Sequence, residues 1–364
     1  MKVERLFERV PGDSAAEERA WSVVRAAYTE RDRGPTRRAV QRRVVLAMAA
    51  LVVACAAAAL SPPGRAVVNA VRRSIGIENA TPALFRLPSS GRLLVSGGGG
   101  TWIVSADGSK RRLGSWPAAS WSPHGLYVVA WSTDELVAVE PKHGSIHWSL
   151  ARPRISRVRW GGSRIDTRIA YLSGRALRVV AGDGTGDRLL ARSVASVAPA
   201  WQPEQHVLAY VAGRRSVVVR NTDTGRMLAV RRVGGVARAL AWSPDGRRLA
   251  VVTAAGVDVF ATGRVERIAR RGVRDAAFAA DGSLALLTAR AVLVDGADGL
   301  VTVLRVPARL EGLAWSPSSR WLVTSLPGAD QWIFVGRHHL LAVAHIARQL
   351  GGAAPALDGW VPSA

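Results

Sequence analysis

The residue types best able to do chemistry are few: seven histidines, one cysteine and 27 carboxylates in 364 residues. His338, His339 and His345 are the densest set of metal-ligating side chains. Adjacent residues on a strand point to opposite faces, so the 338–339 pair does not converge on one ion. His143 and His147 stand four apart, which would converge on a helix but not on the strand and turn expected there. Asp183-Gly184-Thr185-Gly186-Asp187 opens like a calcium loop but lacks the downstream glutamate that would complete it. Cys55 stands alone, so there is no intrachain disulfide and no cysteine-held zinc or iron–sulfur centre. G-x-S-x-G, H-E-x-x-H, G-x-x-x-x-G-K-S/T, G-x-G-x-x-G and S-x-D-x-G-x-T-W are all missing. The glycine run Gly97–Gly100 has no helix after it and reads as a hairpin turn, not a phosphate cradle. The expectation is a protein without catalytic residues, metal or cofactor, and not an enzyme.

Binding is the remaining class, and a repeat supplies its framework. Trp242-Ser243-Pro244-Asp245-Gly246 recurs in altered form at Trp121-Ser122-Pro123-His124-Gly125, Trp160-Gly161-Gly162, Trp201-Gln202-Pro203-Glu204, Phe278-Ala279-Ala280-Asp281-Gly282 and Trp315-Ser316-Pro317. The anchors Trp121, Trp160, Trp201, Trp242, Phe278 and Trp315 are spaced by 36 to 41 residues. A weaker seventh copy begins at Leu87-Pro88-Ser89-Ser90-Gly91. One unit reads as four strands: 236–242 ending in the tryptophan, 248–253, 257–261 and 265–269. Ser-Pro-Asp-Gly suits a type I turn, with proline fixing φ at the second position. Four short strands per repeat with no helical periodicity make an all-β propeller, of seven four-stranded blades, or six if the copy at Leu87 is a stalk strand. A flat apolar ring at one place in every blade is expected to wedge between neighbouring sheets.

The stretch Trp242-Ser243-Pro244-Asp245-Gly246-Arg247-Arg248-Leu249-Ala250 resembles the repeats of TolB-like and WD-repeat-like propellers. Val217 to Gly225 is similar to the third strand and turn of a WD repeat, with Arg220-Asn221 where the Trp-Asp pair would stand. The resemblance spans about 260 residues. It implies a rigid disc whose loops and central channel hold protein, peptide or sugar ligands.

The segment before the repeats carries a different pattern. Val44 to Leu60 is an unbroken run of 17 apolar residues, about 25 Å as a helix and so just long enough to span a bilayer. Pro62 and Pro63 stop it. Arg37, Arg38, Arg42 and Arg43 precede it more densely than Arg65, Arg72 and Arg73 follow it. The positive-inside rule therefore puts 1–43 in the cytoplasm, and 61–80 as a stalk, the propeller at 81–345 and a tail at 346–364 outside. Val52-Val53-Ala54-Cys55 loosely matches a lipobox, but a leader of 43 residues is too long for a cleaved or lipoprotein signal. In the cytoplasmic segment Ser14 and Glu17 fit a capping box, and Trp21, Val24 and Tyr28 share one helical face as a candidate partner surface.

Charge bounds the partners. The net charge is +23, of which residues 44–364 carry +19 and 1–43 carry +4. Only three of the 50 basic residues are lysines, and the Arg-, Ala- and Gly-rich usage points to a GC-rich bacterium. Such a domain should attract anions. The expected partner is an envelope protein or an anionic wall or lipid surface, not nucleic acid. The alternatives are a signal relay, with the propeller sensing and the cytoplasmic helix recruiting a regulator, and an enzyme on the propeller, which would need a convergent acidic or histidine cluster at one channel mouth.

Overall fold

The computed structural model describes residues 86–296, 299–352 and 354–363. The helix bearing Trp21, Val24 and Tyr28, the apolar run 44–60 with Cys55, and the stalk 61–80 lie outside them. Among the described residues no helix is long and apolar enough to cross a membrane.

The chain folds into seven antiparallel four-stranded sheets. The first three strands are β1 (Arg92–Gly97), β2 (Gly100–Ser105) and β3 (Lys110–Gly114). Blade 2 follows with β4 (Ala118–Trp121), β5 (Val128–Trp131), β6 (Glu135–Val139) and β7 (Ile146–Ala151). Blade 3 is β8 (Ile155–Gly162), β9 (Thr167–Ser173), β10 (Ala176–Ala181) and β11 (Arg188–Ala191). Blade 4 is β12 (Ala200–Trp201), β13 (Val207–Ala212), β14 (Ser216–Asn221) and β15 (Met227–Arg232). Blade 5 is β16 (Ala237–Trp242), β17 (Leu249–Thr253), β18 (Val257–Ala261) and β19 (Arg264–Ile268). Blade 6 is β20 (Val273–Phe278), β21 (Leu284–Thr288), β22 (Ala291–Gly296) and β23 (Gly299–Arg305). Blade 7 is β24 (Glu311–Trp315), β25 (Trp321–Leu326), β26 (Gln331–Gly336) and β27 (Leu340–Ala344). A single helical turn, α1 (Ile346–Gln349), leads to β28 (Ala356–Val361).

Burial follows strand position. The first strands of successive blades touch one another in a ring around a central channel. The second strands, such as β17 with its sequence LAVVT, are buried throughout. The fourth strands face solvent: β15 and β23 are largely exposed. The core is therefore split into layers between blades. Ala250, Val252 and Val259 of blade 5, for example, pack on Leu284, Leu286 and Leu293 of blade 6.

The Ser-Pro-Asp-Gly turn has a local reason to form. Gly246 N–H donates to the Ser243 carbonyl at 2.8 Å, and Gly246 sits at φ 67°, where a Cβ would be strained. The Ser243 hydroxyl donates to Asp245 at 2.5 Å and accepts from Arg248 N–H at 2.9 Å. Ser122 and Ser316 repeat this role, accepting from the N–H of Tyr127 and of Trp321.

The ring closes through the C-terminus, which differs from the tail expected at 346–364. Strand β28 pairs antiparallel with β1 and becomes the innermost strand of blade 1. The repeat motif is thus cut in two: Trp360-Val361-Pro362-Ser363 carries its first half, and Ser89-Ser90-Gly91-Arg92-Leu93 near Leu87 continues it. The seventh anchor was hidden because its Trp and its turn lie at opposite ends of the sequence. Closure removes the open edges that a lone sheet would expose.

Candidate functional site: one mouth of the channel

The structure places Trp121, Trp160, Trp201, Trp242, Phe278 and Trp315 on the first strands of blades 2 to 7, with Trp360 at the matching place in blade 1. Four of the indoles reach across to the preceding blade. Trp121 donates to the Gly359 carbonyl at 3.2 Å, Trp201 to Arg159 at 3.0 Å, Trp242 to Ala200 at 3.1 Å and Trp315 to Ala277 at 3.0 Å. Each acceptor stands one residue before the preceding blade's anchor. The indole N–H groups of Trp160 and Trp360 are buried without a partner. Trp160 instead lies nearly parallel to Tyr127, with centroids 6.2 Å apart. Guanidinium groups cover two anchor rings: Arg92 over Trp121 at 5.0 Å and Arg248 over Phe278 at 4.9 Å.

The residues of metal-ligating type do not gather. His338 and His339 sit in the exposed hairpin turn between β26 and β27, His143 pairs with Glu140, and His147 meets the edge of Tyr127. Among the described residues no group of three His, Cys, Asp or Glu side chains could hold a metal ion. In the loop that resembles a calcium-site opening, Asp183 accepts from the backbone and hydroxyl of Thr185. Asp187 is taken by Arg178 and Arg152 and by the hydroxyl of buried Tyr171 at 2.7 Å. Burial works against its charge, but the hydrogen bonds from Arg178, Tyr171 and Arg152 outweigh it and hold the carboxyl below its ordinary range. The same burial, with the Asp187 contact, pushes the Tyr171 phenol up to about 12. Both carboxylates are thus engaged by protein partners.

A different set of side chains meets in the channel. A cavity of about 620 Å³ opens at the mouth where the first strands begin. Arg157, Arg159, Arg238 and Arg274 line it, together with Asp275 and Glu311. The backbone explains the convergence, because a first strand carries a register shift in five blades. In β8 the shift lies between Ser156 and Arg159, in β16 between Ala237 and Ala239, and in β20 between Val273 and Asp275. In β24 it lies between Glu311 and Ala314, and on β28 it falls at Asp358. A bulge leaves a residue unpaired and turns its side chain away from the alternation of the strand. The residues so released include Arg157, Arg238, Arg274 and Asp358. Arg157 is at φ 56°, a left-handed conformation that β-bulges permit.

The electrostatics of the mouth are those of an enclosed ring. Arg159 is exposed toward the channel, and desolvation by the surrounding protein works against its charge while Asp358 and Asp275 support it. Its guanidinium stays protonated regardless. Asp358 accepts from the Ser96 hydroxyl at 2.5 Å. Burial pushes its carboxyl up to about 7, against the downward pull of Ser96 and Arg159. Burial likewise raises Asp275, although the Ala276 N–H and the charges of Arg159 and Arg274 oppose it. Arg274 donates to the Leu310 carbonyl at 3.2 Å. Arg157 and Arg238 make no hydrogen bond or ion pair among the described residues. The sequence holds a signal for this site: Arg238, Arg274 and Glu311 each stand four residues before their anchors, charges recurring in otherwise apolar strands.

These features define a seven-bladed β-propeller resembling the WD40 type. The Trp-Asp position at the end of the third strand of blade 4 holds Arg220-Asn221, and Arg220 there donates to the Leu190 carbonyl of blade 3 at 2.6 Å. No family model and no curated protein sequence matches the chain. Solved structures do. A chain of the Mitotic Checkpoint Complex is 15% identical with a TM-score of 0.54, over 73% of this chain and 96% of that one. The Swd1 β-propeller domain from Myceliophteria thermophila is 14% identical with a TM-score of 0.51, over 63% of this chain and 86% of that one. Hydrazine synthase of Kuenenia stuttgartiensis is 12% identical with a TM-score of 0.47, over 67% and 86%. At these identities the likeness is one of fold.

Proposed function

We propose that the chain is a single-pass membrane protein that presents its propeller outside the cytoplasm as a binding scaffold for an envelope protein or an anionic surface. The observation that carries the scaffold reading is the closed seven-bladed disc, a rigid frame on which bulged first strands hold an arginine-lined mouth. The apolar run 44–60, with four arginines shortly before it, supports the anchored placement and its direction. WD40-type propellers commonly bind proteins, which agrees with a scaffold and does not call for a reaction. A relay through the face of Trp21, Val24 and Tyr28 is the second reading, favoured by that apolar stripe in an otherwise charged segment.

Placement is tested with one reactive thiol. Ile165 is 97% exposed and suits a cysteine label. In an Ile165→Cys chain whose Cys55 is replaced by alanine, a membrane-impermeant maleimide should label intact cells. Labelling only after lysis would overturn the extracytoplasmic reading, and recovery of the chain in the soluble fraction would overturn anchoring. Removing residues 1–35 should leave capture of partners by the propeller unchanged in a scaffold and abolish downstream output in a relay.

A further inference from the structure

We propose that the arginine-lined channel mouth is a binding site for a phosphoryl group, borne by a small phosphorylated molecule or by a lipid headgroup. This deepens the scaffold reading by naming the ligand's chemistry, and it concerns the disc whether or not the chain is anchored. Three observations converge. First, the cavity of about 620 Å³ falls within the range of small-ligand sites. It is too narrow a setting for a folded partner and suits a compact anion.

Second, four guanidinium groups from blades 3, 5 and 6 line one mouth, and two of them, Arg157 and Arg238, have their donors unspent. Guanidinium donors form a planar fork that matches phosphoryl and carboxylate oxygens two at a time. The opposing acids offset this only in part. Asp275 and Glu311 line the cavity against four arginines, and Glu311 also pairs with Arg309 at 3.0 Å. A doubly charged group uses the surplus better than a single carboxylate does.

Third, the arginines are where they are because the backbone departs from regular pairing. Bulges in β8, β16 and β20 release Arg157, Arg238 and Arg274 from the strand alternation. Register shifts occur in five first strands, and in three of them a released residue is an arginine that lines the mouth. Arginines needed only for solubility could stand on the exposed fourth strands at no such cost. Like charges gathered inside a partly desolvated ring repel, and an anion between them relieves that repulsion.

The test uses the full chain in detergent and inorganic pyrophosphate as the first probe, with binding followed by calorimetry. The expected result is one site per chain, weakened about tenfold or more in each of Arg157→Gln and Arg238→Gln. Arg247→Gln, the same one-charge change on an exposed residue in the turn at the far end of a first strand, should leave it within about twofold. Thermal midpoints of the variants confirm that they are folded, and Arg238→Gln alone suffices where Arg157→Gln fails this check. Flotation with vesicles containing phosphatidylglycerol, against phosphatidylcholine alone, is the second arm. Binding to pyrophosphate identifies a soluble phosphorylated ligand. Binding only to the anionic vesicles, lost with the same arginines, identifies a headgroup. No binding in either arm, or binding lost equally in the exposed-arginine control, overturns the proposal. Neither arm depends on which side of a membrane the disc faces, so the proposal and the topology stand or fall separately.

Discussion

The indole N–H of Trp242 donates to the carbonyl of Ala200 at 3.1 Å, one residue before the anchor Trp201 of the preceding blade. Trp201 in turn donates to Arg159 at 3.0 Å, just before Trp160. The anchors are therefore links between blades as well as apolar wedges, and the chain of links breaks at Trp160, whose N–H has no partner. Replacing Trp242 by phenylalanine should cost about 1 kcal/mol, the net worth of a hydrogen bond, plus a small packing loss. Trp160→Phe should cost less, because it removes a buried donor that is already unpaired. Trp242→Ala should cost about 3 kcal/mol or more, since it also leaves a cavity. Chemical unfolding of the full chain, read by its midpoints, separates the three. Equal penalties for the two phenylalanine variants would show that the link contributes nothing.

Ring closure depends on six residues at the far end of the chain. Leu93 and Val95 on β1 are completely buried, and they share a core layer with Trp332, Phe334 and Trp360. Phe334 and Trp360 meet edge to face at 5.9 Å. A chain ending at residue 353 loses β28 and exposes this layer together with an open sheet edge. It should be cleaved by trypsin in β3, at Arg111 or Arg112, far faster than the full chain. A chain ending at Val361 retains the strand and should resist as the full chain does. Equal resistance of all three would mean that the strand is not needed for closure.

Much of this fold was legible because its repeat is written in turn chemistry. Trp-Ser-Pro-Asp-Gly marks the turn between the first two strands of a blade, its Trp-Ser-Pro recurs at 121 and 315, and the six anchors set the period. Where the motif decays, as at Trp160-Gly161-Gly162, spacing still carried it. Closure was less legible, because pairing between β1 and β28 joins the two ends of the repeat and leaves no local trace. The channel mouth was missed for a different reason. Strand alternation assigns Arg238 and Arg274 to a face by parity, whereas a bulge overrides parity and depends on packing around the ring. Asp187 shows the converse: its loop resembled part of a metal site, but the arginines that claim it come from β10 and from the end of blade 2.

The Asp187 cluster should behave as a structural unit. Its carboxylate is largely buried and receives Arg178 at 2.8 Å, Arg152 at 2.6 Å and the Tyr171 hydroxyl at 2.7 Å. Arg178→Ala removes one of two cations and leaves Arg152 on the carboxylate, so it should cost less than the about 3–5 kcal/mol of a buried charge left without a partner. Asp187→Asn should cost less than Arg178→Ala, because it leaves no buried anion. The native carboxyl ionises below its ordinary range, so its contribution is fully present above about pH 4 and is lost as pH falls through the native value. The difference in unfolding midpoint between wild type and Asp187→Asn should therefore shrink in acid. A difference constant from pH 7 to pH 2 would remove the ionised carboxylate from the account.

Asp358 carries the opposite sign. Burial raises its native carboxyl to about 7, while in the unfolded chain it ionises near 4. Below about pH 4 both states hold the proton, and Asp358 adds no pH dependence. Between about 4 and 7 the native state keeps a proton that the unfolded state has lost, so stability falls as pH rises, by at most about 1.4 kcal/mol per pH unit. Above 7 the full penalty persists, because the native state then holds a desolvated anion beside Ser96 and Arg159. Asp358→Asn keeps the shape and removes the titration. Its stability relative to wild type should improve from pH 4.5 to about pH 7 and level off above that, measured by urea midpoints on the full chain. Ser96→Ala should deepen the trend, since it removes the hydrogen bond that pulls the carboxyl down. If the offset between wild type and Asp358→Asn is flat across that range, the carboxyl is not held in its neutral form by the channel.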